Sequence, residues 1–324
     1  MDLPKLSSLD VIDKQSLPLR GKKVLLRLDL DTNPDPNDLR IKSSYETLDY
    51  LKDKASEIII LSHKGRPDGI IDEKLSLKPF QPIFDKWGAK VHENLRFDSR
   101  EEANDETFAK ELASLGDVYI NDAFASSHRY HASIVSLPKL LPHAAGFRFE
   151  KEVNNLSKIF DPVRPLVILI SGVKKDKLEM IEPLSSLADK VLVGGKLPDF
   201  LGDNTLSVRS QNGKVIIGNL SMDKEDITVN TIEKFKEEIN KAKTIVLAGV
   251  LGKYEDQGHS QGTKAIFDAV GNSSAFKIVG GGDSLIAITK YNLLEKFDWI
   301  SVGGGASLEF LTNKTLPGIE ALLH

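Results

Sequence analysis

Short apolar runs alternate with amphipathic stretches from one end of the chain to the other, and no other property limits its fold so sharply. Val24–Asp29 reads as a strand, Ser43–Lys54 as a helix capped by Ser43 or Ser44, and Ile58–Ser62 as a strand again. Leu77–Trp87 looks helical, Val91 starts a short strand, Asn104–Leu115 is a helix capped by Asn104, and Val118–Asn121 is a strand. After Asp161-Pro162-Val163-Arg164-Pro165 the pattern restarts. Strands are expected at Leu166–Ile170, Lys190–Val193, Thr244–Leu247, Phe276–Val279 and Trp299–Val302. Helices are expected at Asp176–Leu187, Thr231–Ala242, Gly262–Val270 and Ser284–Tyr291, with a short one from Ser307. Asn212-Gly213, between Leu206-Ser207-Val208 and Val215-Ile216-Ile217, predicts a hairpin. Strand-then-helix order repeated this often requires parallel sheets covered on both faces.

The expected fold is therefore α/β, with two doubly wound, Rossmann-like parallel-sheet domains. A chain of 324 residues has room for both, and the amphipathic stretch Phe147–Ile159 reads as the helix connecting them. The boundaries this predicts are 1–146, a connector at 147–160, and 161–311. A net charge of −4 gives no reason to expect nucleic acid or an anionic membrane surface as partner. The chain has no cysteine, which excludes disulfides, thiol catalysis and Cys-ligated zinc. No signal-peptide pattern and no run of membrane-spanning length is seen, so a cytoplasmic location is expected.

In open α/β sheets ligands bind beyond the carboxyl ends of the strands, and the residues with chemical potential cluster there. In the first half these are Arg40, His63, Arg66, Arg96 and Arg129. A planar guanidinium fork fits phosphate and carboxylate oxygens, so the set reads as a hold for a small, highly charged anion. Any one of these arginines, taken alone, reads more readily as half of a surface ion pair, and only the set together favours the anion. His128 and His131 have a spacing open to a metal, yet no carboxylate or Cys accompanies them in pattern, which favours loop hydrogen bonding.

The second half carries Gly280-Gly281-Gly282-Asp283-Ser284 and Gly303-Gly304-Gly305-Ala306-Ser307. Each triplet follows a strand and precedes a helix, where bare amides and the helix dipole suit phosphate. Asp283 reads as a helix N-cap or as a Mg²⁺ ligand, with the cap favoured by the residues alone. Lys174, Lys175 and Lys177 crowd another strand end as either phosphoryl partners or a solvated turn. Glu255 is open to a ribose or to solvent. Neither a Walker A sequence nor the dinucleotide fingerprint is present.

Taken in order, these motifs resemble the phosphoglycerate kinase family along almost the whole chain. Arg27-Leu28-Asp29-Leu30-Asp31 is similar to the family's Arg-Val-Asp-Phe-Asn, and Leu39-Arg40-Ile41 to its Thr-Arg-Ile. Ser62-His63-Lys64-Gly65-Arg66-Pro67 is similar to Ser-His-Leu-Gly-Arg-Pro. Glu93-Asn94-Leu95-Arg96-Phe97, Asn121-Asp122-Ala123-Phe124, His128-Arg129 and the two glycine loops also match.

The resemblance implies a two-domain, hinge-bending kinase that transfers a phosphoryl group between MgATP and 3-phosphoglycerate, giving 1,3-bisphosphoglycerate and ADP. It implies that Asp29, Asp31, Arg40, His63, Arg66, Arg96 and Arg129 hold 3-phosphoglycerate. Lys174, Lys177, Gly194, Gly252, Glu255, Gly281, Gly282, Ser284 and Gly304 would meet the nucleotide, and Asp283 the Mg²⁺. Arg40, Lys177, Gly282 and Gly305 would serve the transfer itself. It further implies a monomer whose residues 312–324 return to the first domain.

The departures fall in the nucleotide half. Gly194-Gly195-Lys196-Leu197-Pro198-Asp199-Phe200 stands where the family has Gly-Gly-Gly-Met-Ala-Asn-Thr-Phe, and the segment that follows is shortened. The phosphate loop is reduced to Ser171-Gly172-Val173-Lys174, and Asp31 replaces the family's Asn. Two alternatives therefore stand: an impaired relative that binds phosphorylated acids without efficient transfer, and a kinase with altered nucleotide preference.

Overall fold

In the computed structural model, the described residues are Leu6, Leu9, Asp10, Asp13, 19–202 and 213–323. The chain divides into two compact units. Unit 1 takes Met1–Asn154 with Lys314–His324, and unit 2 takes Asn155–Asn313. The division falls inside the helix Phe147–Ser157.

Unit 1 holds a five-stranded sheet of β1 (Lys23–Arg27), β2 (Glu57–Leu61), β3 (Ala89–Val91), β4 (Val118–Asn121) and β5 (His143–Ala145). Their order is β3-β2-β1-β4-β5 and every pairing is parallel. Val24, Leu26, Ile58, Ile60, Val118 and Ile120 from the strands pack with Phe80, Phe84 and Trp87 in one core. Unit 2 holds β6 (Leu166–Ile170), β7 (Lys190–Val193), β8 (Val215–Ile217), β9 (Thr244–Ala248), β10 (Phe276–Gly280) and β11 (Trp299–Ser301). Here the order is β11-β10-β9-β6-β7-β8, again all parallel. β6 and β9 are buried along their full length, as central parallel strands must be. The strand order reverses direction between β1 and β4 in unit 1 and between β6 and β9 in unit 2, so each unit has one switch point where a ligand crevice belongs.

Several expected elements differ in detail. The helix expected from Ser43 begins earlier, as Leu39–Lys42 and then Tyr45–Lys52. Asp38 caps the first piece by accepting from the Arg40 N–H at 2.8 Å, whereas the Ser44 hydroxyl donates back to Ile41 O. Leu77–Trp87 is broken into Lys78–Phe80, Gln81–Phe84 and Asp85–Trp87, because Pro79 and Pro82 remove amide donors. The cap before Glu106–Ala113 is Asp105, with Asn104 in a left-handed conformation one residue earlier. The first arm of the predicted hairpin lies outside the described residues; its second arm, Val215–Ile217, pairs in parallel with β7. The helices expected from Ser284 and Ser307 start sooner, at Gly282 and Gly304.

Candidate functional site

All carboxyl ends of a parallel sheet lie on one edge, and in unit 1 that edge gathers the expected residues. Arg27 ends β1 and is fully buried. Its Nη2 lies 2.7 Å from His63 Nδ1, and its Nε donates to Ser133 Oγ at 2.9 Å. His63 follows β2, Arg96 follows β3, and Arg129 follows β4. Arg96 is 2% exposed; its Nη1 donates to Gly65 O at 2.6 Å, which ties it to the His63 loop. Its Nη2 sits 3.0 Å from Glu102 Oε1 without hydrogen-bond alignment, and its buried Nε has no hydrogen-bond partner among the described residues. A buried guanidinium N–H left over in this way costs free energy unless something fills it. An anion at this edge would do so.

Arg40 reaches the same rim from the Leu39–Lys42 helix. Its Nη1 donates to Asp31 O at 2.6 Å, and its Nε lies 3.8 Å from Asp29 Oδ2, an oxygen with no hydrogen bond of its own among the described residues. Asp31 is exposed, and its Oδ1 accepts from the Gly65 N–H at 2.8 Å, so its carboxylate braces the His63 loop. Arg66 is exposed on that loop and Arg129 is half-buried. The electrostatics are one-sided. Burial, followed by Arg27, Arg96, His131 and Arg129, drives the His63 pKa well below the usual histidine range. Burial and the same arginines push His131 down to about 3. Both rings are thus neutral at ordinary pH.

The sequence pattern gave His131 no carboxylate neighbour, but the fold supplies two: Glu101 at 3.7 Å and Glu102 at 3.8 Å. Among the described residues no group of three or more His, Asp or Glu is arranged to hold a metal.

In unit 2, Gly172, Gly249 and Gly281 follow β6, β9 and β10, with φ of 135°, 121° and 107°. These values suit glycine, and at Gly249 a Cβ would also overlap the Ser171 carbonyl across the switch point. Lys177 stands at that point, largely buried. Its Nζ donates to Ser171 O at 2.5 Å and approaches Ala248 O at 3.5 Å. Burial lowers its pKa, opposed by Asp283 and Asp176. Lys174 instead takes the N-cap position of the turn Lys175–Met180 and is exposed. Of these two expected lysines, then, Lys177 is the one set into the sheet edge.

The glycine triplets come together through their backbones, since a Cβ on Gly304 would overlap Gly281. Gly282 and Gly305 lie in the first turns of their helices, where N–H groups have no intrahelical acceptor. The Ser284 hydroxyl accepts from the Gly249 N–H at 2.9 Å and locks one of these helices to the end of β9. The N-cap is Gly281, not Asp283, so the N-cap reading of Asp283 is overturned and its exposed carboxylate stays available to a hard cation. Gly194 and Gly252 each leave no room for a side chain, against Leu251 and Asp226. Glu255 is exposed beside Tyr254, whose pKa is pushed up to about 12 by burial and then by Glu255. Nearby, His259 is held between Asp223 (2.8 Å) and Asp256 (3.1 Å), and hydrogen bonds to Asp223 and Asp256 raise its pKa.

Residue-level reading missed Arg27, Glu101, Ser133 and His259 as parts of these sites. Arg27 had a usable signal, being a charge at the end of the apolar run Val24-Leu25-Leu26. Glu101, in Ser99-Arg100-Glu101-Glu102, had none.

Comparison with known proteins adds to this geometry. The family model for phosphoglycerate kinase matches residues 14–212 and 199–314. The two matches overlap at 199–212. The phosphoglycerate kinase of Herpetosiphon aurantiacus is 35% identical over 379 aligned positions, covering 93% of this chain and 96% of its own length. That of Dictyoglomus turgidum is 35% identical, with 96% and 98% covered. Among solved structures, phosphoglycerate kinase from Coxiella burnetii matches with a TM-score of 0.81 at 29% identity, covering 98% of this chain and 99% of that one.

Proposed function

The chain belongs to the phosphoglycerate kinase family, and from that premise we propose how its two units share one reaction. It is a glycolytic kinase that passes a phosphoryl group to and from a carboxylate. In our reading unit 1 takes 3-phosphoglycerate. Arg40, His63, Arg66, Arg96 and Arg129 meet its phosphate and carboxylate, with Asp29 and Asp31 at the rim. Unit 2 takes ATP or ADP. The amides of Gly281, Gly282, Gly304 and Gly305 face the phosphates together with Lys177 and Lys174, while Gly194, Gly252, Glu255 and Ser284 complete the nucleotide site. Asp283 would hold Mg²⁺, whose charge would offset that of the phosphates.

Nothing in this set calls for a covalent intermediate. Unit 1 orients the acceptor carboxylate, and Arg40 and Lys177 offset the charge spread over the transferring group. Fixed amides hold that charge at little cost, because they are already aimed when the substrates bind. We assign the reaction to a monomer in the cytoplasm.

The observation that carries this reading is the partner-seeking Nε of buried Arg96 at the carboxyl edge of the unit 1 sheet. The test is ATP-dependent turnover of 3-phosphoglycerate, coupled to NADH oxidation, in wild type and Arg40→Ala. Wild type should turn over, and Arg40→Ala should lose about a hundredfold or more in kcat. A well-folded wild type that is silent at saturating MgATP would overturn transfer and leave an acid-binding relative.

A further inference from the structure

Loops from four strands meet in one buried polar chain, and that chain ends on a single nitrogen of His63. Arg27 closes β1, His63 follows β2, Glu101 follows β3, and Ser133 follows β4. The Arg27 guanidinium places Nη2 at 2.7 Å from His63 Nδ1, donates from Nη1 to Leu28 O at 2.5 Å, and donates from Nε to Ser133 Oγ at 2.9 Å. The Ser133 hydroxyl donates onward to Glu101 Oε1 at 2.6 Å, and the Ser133 backbone N–H donates to Oε2 at 3.0 Å. Arg27 and Glu101 are both fully buried. Each would be costly alone, and their opposite charges with shared hydrogen bonds offset much of that cost.

The direction of the bond to His63 is fixed by chemistry. A guanidinium keeps all its protons and has no lone pair to offer, so toward Nδ1 it can only donate. Nδ1 is then the bare, accepting nitrogen, and the ring's one proton sits on Nε2. Burial keeps a second proton off this ring, and the positive Arg27, Arg96 and Arg129, beside neutral His131, add to that effect. The other tautomer would lose the Arg27 bond and turn a lone pair toward an incoming anion.

We propose that Arg27, braced through Ser133 by Glu101, is a positioning residue that fixes His63 as a neutral Nε2–H donor to an oxyanion of the bound acid. This rests on unit 1 being the acid's site and adds a role for residues that touch no substrate. It also removes His63 from general-base or cationic duty. Its contribution is a directed hydrogen bond, and the guanidinium groups carry the charge.

The test reads the tautomer directly, by long-range ¹⁵N–¹H correlation of histidine-labelled full-length protein near neutral pH. His63 should show the Nε2–H pattern and no imidazolium as pH falls through the usual histidine range. A Nδ1–H pattern, or an imidazolium at neutral pH, would overturn the proposal in wild type, whatever the variants do. Adding 3-phosphoglycerate should move the His63 Nε2 resonance. Saturable shifts elsewhere in unit 1 with His63 unmoved would defeat the donor role. No shift in unit 1 at all would defeat the acid-site reading, and this proposal with it.

Arg27→Met should mix the tautomers and raise KM for 3-phosphoglycerate about tenfold with little change in kcat, as expected for a lost binding hydrogen bond. Arg27→Lys keeps a donor and should restore the Nε2–H form. A methionine variant with an unmixed tautomer and unchanged KM would reduce Arg27 to a filler of buried space.

Discussion

Asp31 carries a charge that opposes the function proposed for its surroundings, because its carboxylate stands at the rim of the site we assign to an anion. Its geometry explains its presence: Oδ1 accepts the Gly65 N–H and its carbonyl accepts Arg40 Nη1, so one residue braces both the His63 loop and Arg40. An amide would keep the acceptor and drop the charge. Asp31→Asn should therefore lower KM for 3-phosphoglycerate about threefold, with kcat unchanged and the gain shrinking at high salt, since the group is exposed and screened. Asp31→Ala should raise KM, as the loop loses its brace. If Asp31→Asn raised KM as alanine does, the charge rather than the acceptor would be what holds the loop. At this scale the site was legible where one rule applied, a basic residue type at the carboxyl end of a strand. That rule picks out His63, Arg96 and Arg129 without knowledge of the fold. It fails for Glu101 and Ser133, which matter only because tertiary packing brings them to Arg27. No local pattern encodes that meeting.

Elements were legible through periodicity, and their ends were not, because ends are decided by single side-chain bonds. Asp38 and Asp105 set the starts of Leu39–Lys42 and Glu106–Ala113, where the run of apolar residues pointed elsewhere. The helix Phe147–Ser157 shows the same logic with a buried cap. Asp122 Oδ1 accepts the Phe149 N–H at 3.0 Å, and its Oδ2 is buried without a hydrogen bond among the described residues. Burial raises the Asp122 pKa to about 6 against the hydrogen bonds that lower it.

Because the folded value lies above the unfolded one, the native state binds more protons between about pH 4 and pH 6. Stability from this group is therefore present at the acidic end and is lost as pH rises through about 6, by roughly 3 kcal/mol at most. Asp122→Asn keeps the acceptor and cannot ionise. In urea unfolding it should match wild type near pH 4 and equal or exceed it near pH 7. A variant clearly weaker near pH 7 would mean that the negative charge itself holds the helix N-terminus.

On the scale of the molecule, two sheets with the same sense of strand order follow from one repeated sequence rhythm, and so each has a switch point, where we place a ligand. The rhythm says nothing about which unit owns the end of the chain. That is decided by burial: Lys314–His324 belongs to unit 1, although the residues before it complete unit 2. Leu316, Ile319 and Leu322 are buried there, and the Gly318 N–H donates to Ser127 O at 2.8 Å, beside the loop that carries Arg129. Gly318 faces Ser127 so closely that a Cβ would come within 2.7 Å of the serine side chain. Removing 314–324 takes the buried side chains of Leu316, Ile319 and Leu322, with the small Ala321, out of unit 1, a loss of about 5 kcal/mol by area. Unit 2 keeps every residue of its own core.

The truncated protein should therefore lose 3-phosphoglycerate binding and the unfolding transition of unit 1, while adenine nucleotide still binds with Kd within about twofold of wild type. Calorimetric titration with each ligand separates the outcomes. Nucleotide binding lost together with acid binding would show that the two units are not stabilised independently. Acid binding kept would show that the returning segment is an ornament on unit 1 rather than part of its core.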